Sequence, residues 1–144
     1  MSDYEIVFEE NPSSEDLQIL ESGIAQHAQS KTGKRIVRQV TFFVRDEKGR
    51  IVGGVHGNYA NSRWLYVNSL WVSESVRGNG YGTRLMNRIE GEAIKGGCTN
   101  SYLDTFSYQA PEFYKKLGYR VFGELENFPP GHSRYFLGKQ LPQP

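Results

Sequence analysis

Cysteine is nearly absent from this chain of 144 residues, since Cys98 is the only one. A single thiol excludes an internal disulfide framework and fits a reducing compartment. Cys98 follows a Gly-Gly pair at a point where a strand should begin. We therefore interpret it as a small buried hydrophobic residue rather than a nucleophile.

The chain also lacks an excess of one charge and any long apolar run. Lys plus Arg number 17 against 16 for Asp plus Glu, and the basic residues are scattered, which argues against a dedicated nucleic-acid binder. No apolar run approaches the ~20 residues that span a bilayer. The segment Met1–Glu10 is acidic and alternating, unlike a signal peptide. We expect a cytoplasmic protein without nucleic-acid or membrane partners.

Metal-ligand spacing is missing as well. The three histidines, His27, His56 and His132, are far apart in the sequence and form no pattern that is typical of a metal site. The chain is therefore predicted to bind no metal.

Aromatic residues, in contrast, are abundant at 13%, which favours strands and a ring-lined cleft. In the first half of the chain, hydrophobic periodicity predicts a short strand at Tyr4–Phe8 and an amphipathic helix from the capping Ser13 to about Ser30. Three consecutive strands should then form a meander: one from Ile36 to Val44, then Ile51–Tyr59 and Trp64–Val72. The last of these is too apolar for an edge strand and should lie centrally.

The second half predicts a helix that carries Leu85, Met86 and Ile89 on one face and ends at Gly96-Gly97. The strand that follows should complete a right-handed parallel crossover. The remaining predicted elements are the strand Thr99–Thr105, the helix Ala110–Leu117 and an antiparallel pair, Tyr119–Leu125 with Arg134–Lys139. No composition break marks a linker, so we expect one domain over residues 1–144, with one mixed α/β sheet and helices on its faces.

A glycine-rich segment between a buried strand and a helix is the most informative part of the sequence. Gly78, Gly80 and Gly82 allow left-handed backbone conformations and leave room for a ligand to approach the main chain. Successive N–H groups at a helix N-terminus then favour an anion, and a diphosphate fits best. A tight strand-to-helix turn without a ligand is the alternative, although it needs fewer glycines.

Two common diphosphate motifs fail here. The dinucleotide fingerprint requires its third glycine one residue later, where Thr83 stands, and a Walker loop requires Gly-Lys-Ser/Thr. The strand before the loop also follows an antiparallel meander, whereas those nucleotide folds open with a βαβ unit.

The spacing Arg77-x-x-Gly80-x-Gly82 instead resembles the acetyl-CoA signature of the GNAT superfamily of N-acetyltransferases. The preceding Leu70–Val72 resembles the end of that family's fourth strand, and the following Thr83–Met86 resembles its third helix.

A second motif supports the same resemblance. The segment Ala110–Tyr119 is similar to the family's helix that ends in Tyr-x-x-Leu-Gly-Tyr/Phe. The two motifs occur in the family's order, and the resemblance to a small bacterial-type member covers nearly the whole chain. It implies a mixed, largely antiparallel sheet whose central fourth and fifth strands run parallel and splay apart, with helices on both faces.

The resemblance also implies how acetyl-CoA is held, as the co-substrate. Pantetheine would enter the gap between the splayed strands and meet the backbone of Leu70, Trp71 and Val72. The diphosphate would lie on the backbone amides of the loop: Arg77, Gly78, Asn79, Gly80, Tyr81, Gly82 and Thr83. The Arg77 side chain either contacts phosphate or braces the loop, and the sequence leaves both open. Ser107 stands where many relatives carry an asparagine that contacts the cofactor.

The resemblance assigns a catalytic acid directly, but it leaves the base and the substrate contacts open. Tyr114 matches the family's tyrosine that protonates the departing sulfur; a core tyrosine is the alternative. Histone-type relatives place a glutamate base at the position of Tyr66, which cannot serve as a carboxylate. Asp104 is the nearest plausible base, and capping of the following turn is an equally good interpretation of it. Asn68 could order a water on the acceptor side, whereas His132 is an even choice between a substrate contact and a structural histidine.

These assignments predict an enzyme that transfers an acetyl group from acetyl-CoA to the primary amine of a small molecule, such as a polyamine, amino sugar or nucleoside antibiotic. A homodimer is plausible because relatives often pair. A non-catalytic acyl-CoA sensor, which kept the phosphate loop but lost the base, is the competing hypothesis.

Overall fold

A computed structural model describes residues 3–144 of the chain, so Met1 and Ser2 of the segment compared with signal peptides lie outside it. The chain divides into two compact units, the residues up to Arg35 and Ile36–Pro144. None of the helices within residues 3–144 is long and apolar enough to cross a membrane.

The first unit contains one helix, α1 (Ser14–Thr32). It begins as predicted, because the Ser13 side chain accepts a hydrogen bond of 3.1 Å from the Asp16 backbone N–H. The predicted strand at Tyr4–Phe8 is wrong, since these residues form no regular element. Alternating side chains are typical of a strand, but a strand also needs a hydrogen-bonded neighbour, and the strands of the described sheet begin only at Arg38.

The second unit contains a six-stranded sheet, two α-helices and one short turn of 3-10 helix. The predicted strands Ile51–Tyr59 and Trp64–Val72 agree with the structure residue for residue. The strand before them begins two residues later than predicted and ends one residue later, and the bounds of the later strands and of the last helix differ by one position. The elements are β1 (Arg38–Arg45), β2 (Ile51–Tyr59), β3 (Trp64–Val72), the 3-10 turn Glu74–Val76, α2 (Tyr81–Lys95), β4 (Asn100–Phe106), α3 (Pro111–Lys116), β5 (Arg120–Glu126) and β6 (Ser133–Gln140).

The sheet has the strand order β1-β2-β3-β4-β6-β5, and only β3 and β4 run parallel. This confirms the predicted mixed, largely antiparallel sheet with a central parallel pair. The parallel pairing is short: it joins Trp64 to Asn100, Leu65 to Ser101 and Tyr66 to Tyr102, and then stops. Beyond these residues the two central strands are no longer hydrogen-bonded neighbours.

One face of the sheet packs on the apolar side of α2, where Leu85, Met86 and Ile89 are at most 5% exposed. Phe113 and Tyr114 of α3 pack against the same core, so both helices of this unit lie on one face of the sheet. Cys98 is fully buried in this core, as predicted, and burial raises the pKa of its thiol.

A bulge in β3 marks the place where the central strands part. His56 pairs with Ser69 and Gly57 with Val67, so Asn68 is an extra residue in β3 without a partner in β2. Gly57 is required there because an added Cβ would lie 2.4 Å from the Tyr66 carbonyl oxygen. Bulges bend a strand and increase its twist, which turns the second half of β3 away from β4.

Candidate active site

A cavity of about 850 Å³ lies where β3 and β4 separate. Its wall consists of β3, the glycine-rich loop, the end of β4 and the first turns of α3. Most of the residues predicted to form a site line it: Asn68, Leu70, Trp71, Val72, Arg77, Gly78, Gly80, Tyr81, Gly82, Thr83, Asp104 and Tyr114. Asn79, Ser107 and His132 do not line it.

The exposed backbone edge of β3 faces this cavity. The Ser73 N–H donates to the Val52 carbonyl, and Trp71 pairs directly with Gly54, so these residues direct their polar backbone groups toward β2. Because backbone groups alternate along a strand, those of Leu70 and Val72 point the other way, toward the gap before β4. Two of the three predicted backbone contacts therefore lie on the open edge, and Trp71 lies between them.

The loop before α2 adopts the conformation that its glycines permit. Gly78 and Gly80 have φ angles of +81° and +79°, in the left-handed region that other residues rarely enter. An added Cβ at either position would meet nothing within 4 Å, so the loop surface is open to a ligand. Gly82 has a different role, because its Cβ would lie 3.2 Å from the Phe113 ring of α3.

The N-terminus of α2 supplies donors for an anion. Gly80 caps the helix without a side chain, and the first intrahelical hydrogen bond runs from the Arg84 N–H to the Gly80 carbonyl. The N–H groups of Tyr81, Gly82 and Thr83 therefore have no helical acceptor, and all three residues line the cavity. The positive end of the helix dipole adds to this donor set, which fits a diphosphate.

Arg77 and Asn79 both brace this loop. The Arg77 Nε donates to the Val72 carbonyl at 2.9 Å. This hydrogen bond braces the loop, which is one of the two roles that the sequence left open for Arg77. The Asn79 amide donates to the carbonyls of Val76 and Arg77 at 3.1 and 3.3 Å. These contacts fix the loop against the end of β3.

Tyr114 projects from α3 into the cavity and packs edge-to-face against Phe113, with ring centroids 5.1 Å apart. Burial raises the pKa of its hydroxyl, and the negative charge of Asp104 adds to this shift. The phenol is therefore held in its neutral, hydrogen-bond-donating form.

Asp104 carries the carboxylate of the cavity wall, and both of its oxygens are engaged. Tyr66 donates its hydroxyl to Oδ1 at 3.1 Å, and Arg134 reaches Oδ2 through Nε at 2.9 Å and a second guanidinium nitrogen at 2.8 Å. Burial, followed by Asp104, raises the pKa of Tyr66, so this hydroxyl also keeps its proton. No sequence pattern connects these three residues, because they lie on three separate strands.

Gln109 is a cavity residue that the sequence analysis missed. Its side-chain oxygen accepts hydrogen bonds from the Thr105 hydroxyl at 2.9 Å and from the Phe106 N–H at 3.0 Å. Because a backbone N–H can only meet the oxygen, the amide nitrogen must point away from these donors. A polar side chain directly before Ala110, the residue that caps α3, was the available clue.

Ser107 and His132 instead hold the loop between β5 and β6. The Ser107 hydroxyl accepts a hydrogen bond from the Ser133 N–H at 3.0 Å and lies 3.5 Å from the His132 Nδ1. The His132 ring also packs edge-on against Tyr108.

Among residues 3–144, no group of three or more His, Cys, Asp or Glu side chains is arranged to hold a metal ion.

Solved structures share this architecture. An acetyltransferase from Bacillus cereus ATCC 14579 is 40% identical and superposes with a TM-score of 0.86, over 94% of this chain and 98% of that one. An aminoglycoside 6'-N-acetyltransferase complexed with coenzyme A is 25% identical, with a TM-score of 0.64 over 74% of this chain and 75% of that one. The fold is thus that of an acetyltransferase.

The sequence relationship is equally clear. The family model described as the acetyltransferase (GNAT) family matches residues 4–119. A blasticidin-S acetyltransferase of Streptomyces morookaense is 40% identical over 96 residues, which are 66% of this chain and 70% of that protein. The chain belongs to the GNAT family of acetyltransferases and is an acyltransferase, which confirms the resemblance.

The open glycine loop gives a first prediction. Gly80→Ala should cost about 1 kcal/mol of folding free energy, because alanine is strained at a positive φ, and it should weaken coenzyme A binding at least about tenfold. Gly97→Ala is the matched control, since Gly97 has φ +95°, an equally open surface and a position at the far end of α2.

Denaturant unfolding and calorimetric titration with coenzyme A measure both effects. The two variants should lose similar stability, and only Gly80→Ala should lose affinity. Equal affinity in both variants would show that the loop conformation does not serve ligand binding.

Proposed function

We propose that this protein transfers the acetyl group of acetyl-CoA to a primary amine of a small molecule by direct attack on the thioester, in the cytoplasm. The observation that carries the proposal is a single cavity that joins a glycine-rich loop at a helix N-terminus, the open backbone edge of β3, a partly buried tyrosine hydroxyl and a carboxylate. Each part matches one requirement of acyl transfer between a CoA thioester and an amine.

Acetyl-CoA, when bound, supplies the acetyl group as a reactive thioester. The amides at the start of α2 would hold its diphosphate, while the backbone of Leu70 and Val72 would hydrogen-bond the pantetheine arm in the manner of an added strand. The coenzyme A complex of the related aminoglycoside acetyltransferase supports this use of the cavity. These contacts would hold the donor at two points and so favour reaction near Tyr114, which lines the same cavity.

Tyr114 is the proposed acid. A thiol has a pKa of ~8.5, below that of an ordinary phenol, so full proton transfer from tyrosine to the departing sulfur is uphill. A neutral phenol donates a hydrogen bond to developing negative charge, and the raised pKa of Tyr114 keeps that proton in place at physiological pH.

Asp104 is the proposed proton acceptor for the attacking amine, directly or through a water. Asp104 lines the same cavity as Tyr114, and it is near enough for its charge to raise the pKa of that phenol. Arg134 and Tyr66 hold the carboxylate in one orientation. Asn68, the bulged residue on the opposite wall, would orient the incoming amine or its water.

The small-molecule acceptor is supported by the relatives. One relative is named for blasticidin S and a structural neighbour for an aminoglycoside. An antibiotic or a similar amine of low molecular weight is therefore the class of acceptor that we propose.

Thiol release from acetyl-CoA tests the proposal across a panel of polyamines, amino sugars and amine-bearing nucleoside antibiotics. We expect turnover at least about a hundredfold above the amine-free background with one class. Thermal stabilisation by acetyl-CoA without turnover on any amine would instead support the non-catalytic sensor. Absence of stabilisation at saturating acetyl-CoA would contradict both functions.

The acid role predicts that Tyr114→Phe lowers kcat about 10- to 100-fold while KM for acetyl-CoA stays within about twofold. The ring remains, and only the donated hydrogen bond is lost. Because the folded-state pKa of Tyr114 is raised, the wild-type kcat should show no loss from this group until the pH exceeds about 10. Steady-state kinetics across pH measure both. An unchanged kcat in a folded Tyr114→Phe enzyme would remove the acid role.

The base role predicts that Asp104→Asn lowers kcat about 100-fold or more, because an amide cannot accept the proton. Asp46→Asn is the matched control: Asp46 also pairs with an arginine, Arg50, but it lies in the β1–β2 turn. Its kcat should stay at the wild-type value.

A double variant separates base chemistry from the loss of the ion pair with Arg134. In Asp104→Asn/Arg134→Gln, no guanidinium charge is left unpaired. The double variant should stay as slow as the single one if Asp104 accepts the proton. Recovery of kcat to within about threefold of wild type would assign Asp104 a purely structural role.

A further inference from the structure

A second group of polar side chains is buried behind the cavity, and the reaction proposed above does not use it. Tyr119, Ser101 and Glu90 are 2%, 0% and 6% exposed. Lys139 reaches the same group through a 2.8 Å ion pair with Glu90 Oε1. We call these four residues the Tyr119 cluster. They come from α2, β4, β6 and the short segment between α3 and β5.

The hydrogen-bond directions within the cluster are fixed by chemistry. The Glu90 carboxylate can only accept, so Tyr119 must donate its single hydroxyl proton to Oε2, at 2.7 Å. The Ser101 hydroxyl, 2.9 Å from the Tyr119 oxygen, must then donate to it. Within the described chain, every polar side-chain atom that is fully buried has a partner. The phenol of Tyr119 therefore has one orientation.

Lys139 also holds the exit of α3. Its Nζ lies 5.5 Å from the centre of the Tyr119 ring, and its side-chain carbons pass within 3.5 Å of the position that a Cβ on Gly118 would occupy. Lys139 is the strand partner of Ser101 across β4 and β6. The cluster thus ties the chain just after α3 to the centre of the sheet.

Tyr114 is linked to this anchor at two points. The Tyr119 N–H donates to the Tyr114 carbonyl at 3.1 Å, and the two rings pack edge-to-face with centroids 6.2 Å apart. The helix that carries Tyr114 has only six residues, too few to hold its position by internal hydrogen bonds. Its placement on the sheet must come from contacts such as these.

We propose that Tyr119 is a positioning residue: its hydroxyl, anchored on Glu90 and Ser101, fixes the end of α3 so that Tyr114 points at the departing sulfur. This inference rests on the acetyl transfer proposed above. A phenylalanine at this position fits the family motif and keeps the ring, so Tyr119→Phe removes only the hydroxyl and its two hydrogen bonds.

A double-mutant cycle tests the inference. Tyr119→Phe should lower kcat about tenfold, with KM for acetyl-CoA within twofold, because a displaced Tyr114 loses alignment while the phosphate loop is untouched. In a Tyr114→Phe background, the same change should alter kcat by less than twofold. Ser101→Ala should show the same pattern with a smaller loss, about threefold.

Hydrogen exchange provides a readout that does not require turnover. Amides of residues 111–118 should exchange at least about fivefold faster in Tyr119→Phe than in the wild type. Tyr59→Phe removes a hydroxyl from another core-packed tyrosine, at the end of β2, and should change neither exchange in this helix nor kcat.

Different outcomes overturn different claims. Suppose that the wild-type enzyme turns over an amine and that Tyr119→Phe lowers kcat as much in the Tyr114→Phe background as in the wild type. The positioning role is then wrong, whereas the acetyl transfer stands. Unchanged exchange over residues 111–118 also overturns the positioning role. Absence of turnover by the wild type overturns the acetyl transfer, and the positioning role with it.

Discussion

The early end of pairing between β3 and β4 is the constraint on which the rest of this site depends. The strands pair over three residues, and the Asn68 bulge then directs β3 away from its neighbour. Polar backbone groups left unpaired inside a sheet cost free energy unless water or a ligand satisfies them. At the open edge, the Arg77 side chain satisfies the Val72 carbonyl, whereas the polar backbone groups of Leu70 and the Val72 N–H face the gap, where water or a ligand can meet them.

The same opening explains the polar residues of the wall. Where β3 has moved away, Asp104 faces the gap and needs compensation for its partly buried charge. Arg134 provides this while its guanidinium packs near the rings of Phe106, Phe128 and Phe136, at 5.7, 5.2 and 5.1 Å from their centres. Rings and ion pair together restrict the arginine, so the carboxylate that it holds has a defined direction relative to the cavity.

Local signals predicted much of this arrangement from the sequence. The turns on either side predicted the bounds of β2 and β3, and glycine spacing located the loop before α2. Tyr4–Phe8 shows the limit of such signals, because alternation cannot tell whether a neighbouring strand exists. The sequence also did not reveal that Gln109 lines the cavity while Ser107 lies outside it. This difference depends on how β4 meets the loop before β6, and that register joins residues some 25 positions apart.

The tyrosines show how positioning and acidity are related in this protein. Burial raises the pKa of Tyr66, Tyr114 and Tyr119, so each is a weaker acid than a tyrosine in water. A weak acid can still donate a strong hydrogen bond, but only along a defined direction and distance. Rate enhancement from such a group depends on geometry more than on proton release. A six-residue helix cannot supply that geometry alone, so in the proposed mechanism the buried contacts of Tyr119 complete it.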